Sequence, residues 1–148
     1  MDYEAVRAGL QQAIPFNNHL GLEVTEIGPS RGVVALPDDG RLHNHVGSQH
    51  AGGLFSAGEA ASGGAFVSAF GERLGEVTPL AKSADIRYLK LARGAISATA
   101  TLGEEPEALF ERLDADGRIE FPVDVEMTDA EGTKVAEMTV HWHVRKNA

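Results

Sequence analysis

The spacing of hydrophobic and polar positions changes along the chain, and each spacing predicts a different element. Apolar residues recur at helical intervals over Tyr3–Ile14, which predicts a short amphipathic helix that Pro15 ends. A loop is predicted for the four residues that follow. Alternation over Leu20–Thr25 and again over Val33–Leu36 predicts the two strands of a hairpin, which the turn residues Gly28–Gly32 connect.

Four more strands are predicted in the second half of the chain. Every second residue is apolar over Ile119–Met127 and Ala136–Val144, so these two strands are the clearest. Alternation over Thr78–Leu91 and Ile96–Leu102 predicts two others. The segment Pro106–Leu113 fits either a short helical turn or a loop. Hairpin-like connections predict that the strands form an antiparallel sheet with one apolar face.

The longest helix is predicted between these two groups of strands. From Ala51 to Gly71 every residue except Glu59 is small or apolar, and no proline interrupts the run, which predicts a helix over about Gly52–Phe70. Each glycine in a helix interior costs roughly 1 kcal/mol relative to alanine, so this helix needs packing on most sides. The pattern predicts a single α+β domain over residues 1–148, in which about six antiparallel strands wrap around this helix.

Composition excludes several classes of protein. The chain carries a formal net charge of −9, which argues against nucleic acid as its main partner. It has no cysteine, so neither a disulfide framework nor a thiol nucleophile is available. Its start lacks the pattern of a signal peptide, and no run approaches the ~18 apolar residues of a membrane span. We therefore expect a cytoplasmic protein without a membrane partner.

Glu59 is the first candidate for catalysis because it is the only charged residue of the long helix. In apolar surroundings its pKa would rise, as a general base requires, and the carboxylate could also attack directly as a nucleophile. The alternative places it on a solvent-facing strip. His50 precedes Glu59 by nine positions, which on one helix is half a turn out of phase and roughly 13 Å away. Either the chain bends at Gly52–Gly53, or His50 of one subunit faces Glu59 of another.

The predicted start of the long helix is a second candidate. At Gly52 it would offer free backbone N–H groups and the positive end of the helix dipole, which together suit a developing oxyanion. Arg87, Lys90 and Arg93 cluster in an otherwise acidic protein, which fits an anionic ligand but fits solvated charges at a strand edge equally well.

Two pairs of histidines have a spacing that metal sites use, since alternate residues of a strand share a face. They are His43 with His45 and His141 with His143. No further ligand group stands at a diagnostic spacing, so we predict no metal site.

The centre of the chain resembles the hotdog-fold thioesterases of the phenylacetate-pathway type, and still more a related uncharacterised group within that superfamily. The matching pattern is Asn44-x-x-Gly47-x-x-His50-Ala51-Gly52, with Glu59 nine positions after the histidine. The run from Asp85 to Gly94 resembles the family's strand that ends in Leu-Arg-Pro-x-x-Gly. There are three departures: Ala51 where glycine is frequent, Glu59 where aspartate is usual, and Leu91 or Ala92 in place of proline.

The resemblance implies a hotdog fold and an acyl-CoA thioesterase whose active site lies at the interface of a homodimer or of a dimer of dimers. It implies that Asn44 orients the water, that His50 positions the carbonyl, and that coenzyme A enters as part of the substrate with no separate cofactor. The residues placed near the substrate are Gly47, Ala51 and Ser62. Two alternatives stay open: an acyl-thioester hydratase or dehydratase, although the His-to-acid spacing resembles the thioesterase pattern, and a hotdog dimer that binds acyl-CoA or another apolar ligand without turnover.

Overall fold

The computed structural model describes residues 1–148 and contains four α-helices and six strands. The helices are α1 (Tyr3–Ala13), α2 (Pro15–His19), α3 (Ala51–Phe70) and α4 (Pro106–Asp116). The strands are β1 (Glu23–Gly28), β2 (Arg31–Leu36), β3 (Val77–Tyr88), β4 (Ile96–Leu102), β5 (Arg118–Thr128) and β6 (Lys134–Lys146). No helix combines the length and the apolar character that crossing a membrane requires.

All six strands form one antiparallel sheet in the order β1-β2-β4-β5-β6-β3. The alternating apolar residues of β5 and β6 are paired across the sheet, as in Val123 with Val140, and both of these side chains are fully buried. Helix α3 packs mainly on β2 and β4. The sheet thus wraps around α3, which confirms the α+β class and the hotdog fold that the resemblance implies.

The backbone of α3 approaches strand β2 so closely that only glycine fits at position 32, and side chains of the sheet pack just as closely against Gly58 of the helix. A Cβ atom on Gly32 of β2 would lie 2.7 Å from the carbonyl oxygen of Ala61 and 2.9 Å from the nitrogen of Ala65. A Cβ atom on Gly58 would lie 2.6 Å from both Met127 Cε and Met138 Sδ. The glycines that weaken α3 as an isolated helix therefore allow its close packing on the sheet.

Aromatic side chains fill the core beyond the C-terminal half of α3. The rings of Phe66 and Trp142 are stacked with centroids 5.5 Å apart, and those of Phe66 and Phe70 are 4.4 Å apart. The indole N–H of Trp142 donates to the hydroxyl of Ser62 at 3.2 Å, so the one polar group of this ring is paired inside the core. This pairing links β6 to α3 at the level of Glu59.

The structure differs from the predictions at α2, at the start of β1 and at the end of β3. The residues predicted as a loop after Pro15 form α2, because a proline at the first position of a helix already has the required φ. The first strand begins at Glu23 rather than Leu20, because Leu20 ends α2. Strand β3 ends at Tyr88 rather than Leu91.

The segment after Pro106, left open between a helical turn and a loop, is the eleven-residue helix α4. Leu109 and Leu113, four positions apart, are both fully buried and hold this helix on the core. Gly117 follows with φ +74°, the left-handed conformation with which helices frequently end.

We predict that Gly32→Ala destabilises the protein strongly, because the new methyl group would push α3 away from β2. Overpacking of this kind costs about 1–3 kcal/mol. Urea unfolding followed by circular dichroism measures the difference. Gly28→Ala is the matched control on the same hairpin, since a Cβ atom there meets nothing within 4 Å. Equal midpoints for the two variants would contradict the close approach of α3 to the sheet.

Candidate functional site

The loop that precedes α3 is built around the side chain of Asn44. Its Oδ1 accepts hydrogen bonds from the backbone N–H groups of Val46 and Ser48 at 3.0 and 3.1 Å, and its Nδ2 donates to Ser48 Oγ at 2.9 Å. Gly47 completes this turn with φ +75°, which a residue with a side chain rarely adopts. Both ends of the Asn44 amide are therefore engaged within the loop, and Asn44 shapes the approach to α3.

Gln49 ties this loop to the connection between β3 and β4. Its buried side-chain amide donates to the carbonyl oxygens of Pro37 and Gly94 at 2.9 and 2.8 Å, and its backbone N–H donates to Ala92 O at 2.8 Å. The start of α3 is thus fixed beside the segment that carries Arg93.

His50 is the N-cap of α3 and occupies the N–H groups that were predicted to be free. Its Nδ1 accepts the hydrogen bond of the Gly52 N–H at 2.8 Å. Its carbonyl oxygen accepts from Gly53 and Leu54 at 2.9 and 3.1 Å, whereas the Ala51 N–H has no partner in the chain. The prediction of free N–H groups from Gly52 onwards is therefore wrong, because the histidine caps its own helix.

This cap also determines which ring nitrogen of neutral His50 carries the proton. Because Nδ1 accepts from a backbone N–H, the proton of the neutral ring lies on Nε2. The side chain is exposed, so Nε2 offers a hydrogen-bond donor beside the helix N-terminus.

Helix α3 runs without interruption from Ala51 to Phe70. The proposed bend at Gly52–Gly53 is therefore absent, and His50 stays roughly 13 Å along the helix from Glu59 within one chain. Of the two ways in which these residues could meet, only the contact between subunits is compatible with this helix.

Glu59 lies half-buried on α3 and makes no hydrogen bond or ion pair through its carboxylate. Burial raises the pKa of this carboxyl above the ordinary value of a glutamate, because the ionised form loses hydration without gaining a partner. The partial burial of Glu59 and its place in the lining of a cavity of about 240 Å³ argue against the alternative of a solvent-facing strip.

The cavity beside Glu59 is apolar apart from two side chains. Its walls come from α1, α2, β1, α3 and the start of β3, and include Leu10, Val24, Ala60, Val67 and Pro79. Asn17 is the second polar side chain, and its amide forms no hydrogen bond in the chain. The sequence had no signal for Asn17, because it belongs to a segment predicted as a loop and lies 42 positions before Glu59.

A second depression of about 470 Å³ lies at the N-terminal end of the same helix face. It is lined by His50 at the cap of α3, by Gly52, Phe55 and Ser56 of α3, and by Phe16 of α2. Since positions 52, 56, 59 and 63 follow one another along one side of a helix, the two depressions occupy neighbouring stretches of that side.

Ser62 does not face either depression. Its hydroxyl is fully buried, donates to the backbone oxygen of Glu59 at 2.7 Å and accepts from Trp142 Nε1 at 3.2 Å. The prediction that Ser62 binds substrate is corrected by this burial, which gives Ser62 a structural role beneath Glu59.

The three cations predicted as a cluster lie on two parts of the surface. Arg87 of β3 lies opposite Glu137 of β6 in the register of the sheet, on the face that points away from α3. Lys90 and Arg93 are exposed in the connection between β3 and β4, next to the residues that Gln49 holds. None of the three forms an ion pair in the chain.

The histidine pairs contact carboxylates separately. His43 Nε2 lies 2.9 Å from Asp38 Oδ1, and His143 Nδ1 lies 3.2 Å from Glu120 Oε1. No three histidine, aspartate or glutamate side chains come together as a metal ion requires.

Comparison with known proteins assigns a family. A family model described as "Domain of unknown function (DUF4442)" matches residues 3–144 of the chain. No curated protein matches it. Among solved structures, the chain is similar to PA5026 of Pseudomonas aeruginosa, described as a protein of unknown function and probable thioesterase. The two are 28% identical with a TM-score of 0.87, over 97% of this chain and 95% of that one.

Two more distant structures share the fold. The PaaI protein of E. coli, from the phenylacetic acid degradation operon, is 18% identical with a TM-score of 0.73, over 97% of this chain and 93% of that one. A variant of the thioesterase SAV0944 of Staphylococcus aureus is 15% identical with a TM-score of 0.72, over 89% and 99% of the two chains. At these identities the likeness establishes the hotdog fold alone.

We predict that Glu59→Gln stabilises the protein at high pH and has less effect at low pH. Because folding raises the pKa of Glu59, the stability that this group contributes is present below the ordinary glutamate pKa and is lost as pH rises through the raised value. Thermal unfolding at several pH values measures the difference in Tm. Glu111→Gln on the exposed surface of α4 controls for the loss of one negative charge. A Glu59→Gln effect that is equal at all pH values would contradict burial as its cause.

Proposed function

The chain belongs to the DUF4442 family, and we propose that it is an acyl-CoA thioesterase whose catalytic carboxylate is Glu59. The observation that carries this proposal is the half-buried, unpaired carboxylate of Glu59 beside an apolar cavity. A carboxylate kept without a partner in such a place costs stability and is typical of a functional group. The similarity to PA5026, described as a probable thioesterase, supports the same reaction class.

Glu59 acts on the thioester carbonyl in one of two ways. As a general base it takes a proton from water while the water oxygen forms a bond to the carbonyl carbon. As a nucleophile it forms an anhydride with the acyl group, which water then hydrolyses. In both routes the C–S bond breaks and the thiolate takes up the proton that the water gives up, through Glu59 in the first route and by way of solvent in the second. The raised pKa of Glu59 makes the ionised form more basic and more reactive in either role.

The N-terminus of α3 stabilises the oxyanion. His50 Nε2–H and the free Ala51 N–H are the two donors, and the positive end of the helix dipole adds to their effect. Gly52 is needed without a side chain because a Cβ atom there would lie 3.0 Å from His50 Nδ1 and disturb the cap. Asn44 and Gly47 hold the loop that orients His50, so in our proposal Asn44 positions the histidine rather than the water.

A homodimer completes the site. Strand β3 is at one edge of the sheet and pairs only with β6, which leaves the other side of a twelve-residue strand without a partner. Leu80 and Tyr88 on this strand are 61% and 49% exposed, and Leu91 just beyond it is 58% exposed. An edge strand of this length presents a row of unpaired N–H and C=O groups that a further strand can pair with. Pairing of β3 with β3 of a second copy would cover it.

The two ends of β3 lie beside the two parts of the site. Pro79 near its start lines the Glu59 cavity, and the hydroxyl of Tyr88 at its end donates to Ala51 O at 3.2 Å. Antiparallel pairing about a two-fold axis sets the start of one strand against the end of the other. The donors at His50 of one protomer therefore lie beside Glu59 of the partner subunit, which removes the problem posed by the straight helix.

The anionic tail of coenzyme A lies against Lys90 and Arg93. Both are exposed, form no ion pair, and lie beside the loop that presents His50. Arg87 lies on the opposite face of the sheet, so within one chain it is the least suited of the three to the same phosphate groups.

Glu59→Gln is expected to lower kcat by roughly 10²–10⁴ with little change in KM, because the amide keeps the size but loses the basicity. Release of free thiol from a panel of acyl-CoAs measures turnover, and Glu111→Gln is the control. Unchanged turnover would remove Glu59 from the mechanism. No turnover by the wild-type protein, with tight acyl-CoA binding, would favour the non-catalytic binding protein instead.

Mixed dimers test the shared site. His50→Gln and Glu59→Gln are each expected to be nearly inactive, but their equal mixture after unfolding and refolding should recover about a quarter of wild-type activity. The reason is that half of randomly mixed dimers are heterodimers, and each heterodimer keeps one intact site. Sedimentation of the same samples verifies the dimer. A dimer without recovered activity would place both residues in one subunit's site.

A further inference from the structure

We propose, on the basis of the function above, that the cavity beside Glu59 holds an unbranched apolar acyl chain of medium length and that Gly63 lacks a side chain to leave room for it. The cavity would then determine the acyl specificity. The proposal depends on the position of Gly63, the shape of the cavity and the way in which α1 closes it.

Gly63 is a helical glycine that packing within the chain does not require. A Cβ atom at this position would meet nothing nearer than Trp142 Cζ2 at 3.9 Å. By contrast, a Cβ atom on Gly58 would lie 2.6 Å from Met127 Cε, and one on Gly64 would lie 2.9 Å from Ile27 Cδ1. Glycine disfavours a helix, so its presence at Gly63 calls for another cause. Gly63 lines the Glu59 cavity, and any larger side chain there would enter it.

The cavity extends from Glu59 along α3 towards its C-terminal end. Val67 also lines the cavity, and the usual rise per residue places it about 12 Å along the helix from Glu59. Beyond Val67 the lining includes Leu74, and the only polar side chains of the cavity are Glu59 and Asn17. An acyl carbonyl at Glu59 would therefore direct its hydrocarbon tail along α3, away from the helix N-terminus.

The volume of the cavity limits the length of that tail. A cavity of about 150 Å³ holds benzene, which corresponds to roughly 25 Å³ for each carbon atom. On this scale a cavity of about 240 Å³ accepts acyl groups of up to roughly ten carbons. Longer chains would have to displace a wall or extend beyond the cavity.

The wall formed by α1 is fixed to the sheet by hydrogen bonds. The side-chain amide of Gln11 accepts from Val24 N–H at 2.7 Å and donates to Leu22 O at 3.1 Å, as a neighbouring strand would do. Arg7 donates to Val24 O at 3.0 Å. Leu10 lies between these two anchors and lines the cavity. The wall opposite α3 is thus held in place rather than free to yield to a longer chain.

The first measurement is kcat/KM of the wild-type protein for straight acyl-CoAs of two to sixteen carbons. Each buried methylene should raise kcat/KM by about fourfold until the cavity is full. We expect the maximum at roughly eight to ten carbons and a fall beyond it. A profile that is flat, or that still rises at sixteen carbons, would overturn the proposed limit.

Gly63→Leu fills the cavity and is the decisive variant. It adds four carbons, so the maximum should move about four carbons shorter, with at least a tenfold loss for the octanoyl substrate and little loss for acetyl. Gly9→Leu in the interior of α1 is the matched control, because a Cβ atom there meets nothing within 4 Å and Gly9 lies outside the cavity. An unchanged profile for Gly63→Leu would overturn the proposal.

Leu10→Ala widens the cavity and should move the maximum towards longer chains. Val6→Ala, which shortens an apolar side chain of α1 outside this cavity, is its control. Equal thermal unfolding of Gly63→Leu and the wild-type protein shows that a changed profile does not arise from misfolding. A maximum that moves towards shorter chains in Leu10→Ala would contradict the assignment of α1 as the wall.

A binding measurement separates this inference from the proposed reaction. Trp142 is the only tryptophan of the chain and lies in the cavity wall, so its fluorescence reports occupancy by free fatty acids of four to sixteen carbons. Binding that is tightest near eight carbons and lost in Gly63→Leu would support the cavity even if no acyl-CoA is hydrolysed. Hydrolysis without dependence on chain length would instead retain the reaction and refute the inference.

Discussion

The close approach of α3 to the sheet is the constraint on which the rest of the structure depends. Gly32 on β2 lets the backbones of the strand and the helix meet without room for a side chain, and Gly58 on α3 leaves room for the ends of Met127 and Met138. A helix held so closely needs no charged residues on that side, and ten of its twenty residues are buried. The helix therefore consists almost entirely of small and apolar residues, and Glu59 is its one charged group.

This packing explains why Glu59 has unusual properties. Behind it, the hydroxyl of Ser62 donates to the backbone oxygen of Glu59 and accepts from Trp142, so neither polar group is left to pair with the carboxylate. In front of it lies a cavity whose walls are apolar. Desolvation without compensation raises the pKa of Glu59, and the same surroundings that cost stability would make the carboxylate reactive.

The N-terminus of α3 and the edge strand β3 provide the other parts of the proposed site. His50 caps the helix through Nδ1, and this cap leaves its Nε2–H without a partner in the chain. Tyr88 fixes the same helix end beside the last residues of β3, whereas Pro79 at the other end of β3 lies beside Glu59. The unpaired edge of β3 thus connects the two halves of the proposed site, which explains how residues on one straight helix could act together in a dimer.

The sequence by itself determined the elements with strong periodicity and the candidate carboxylate. Alternation over β5 and β6 predicts the buried residues correctly because each strand has one face on the core, and the isolated charge in a small-residue helix identifies Glu59. Local patterns predicted less well where contacts distant in sequence decide. Hence the full length of α4 was not predicted, and Ser62 was assigned to a ligand. Helix α2 was missed for a different reason, because Pro15 was taken only as the end of α1 although it also starts the next helix. The tertiary structure alone decided that His50 occupies the Gly52 N–H, that Asn17 lines the same cavity as Glu59 and that Gly63 borders empty space, because each depends on which surfaces the fold brings together.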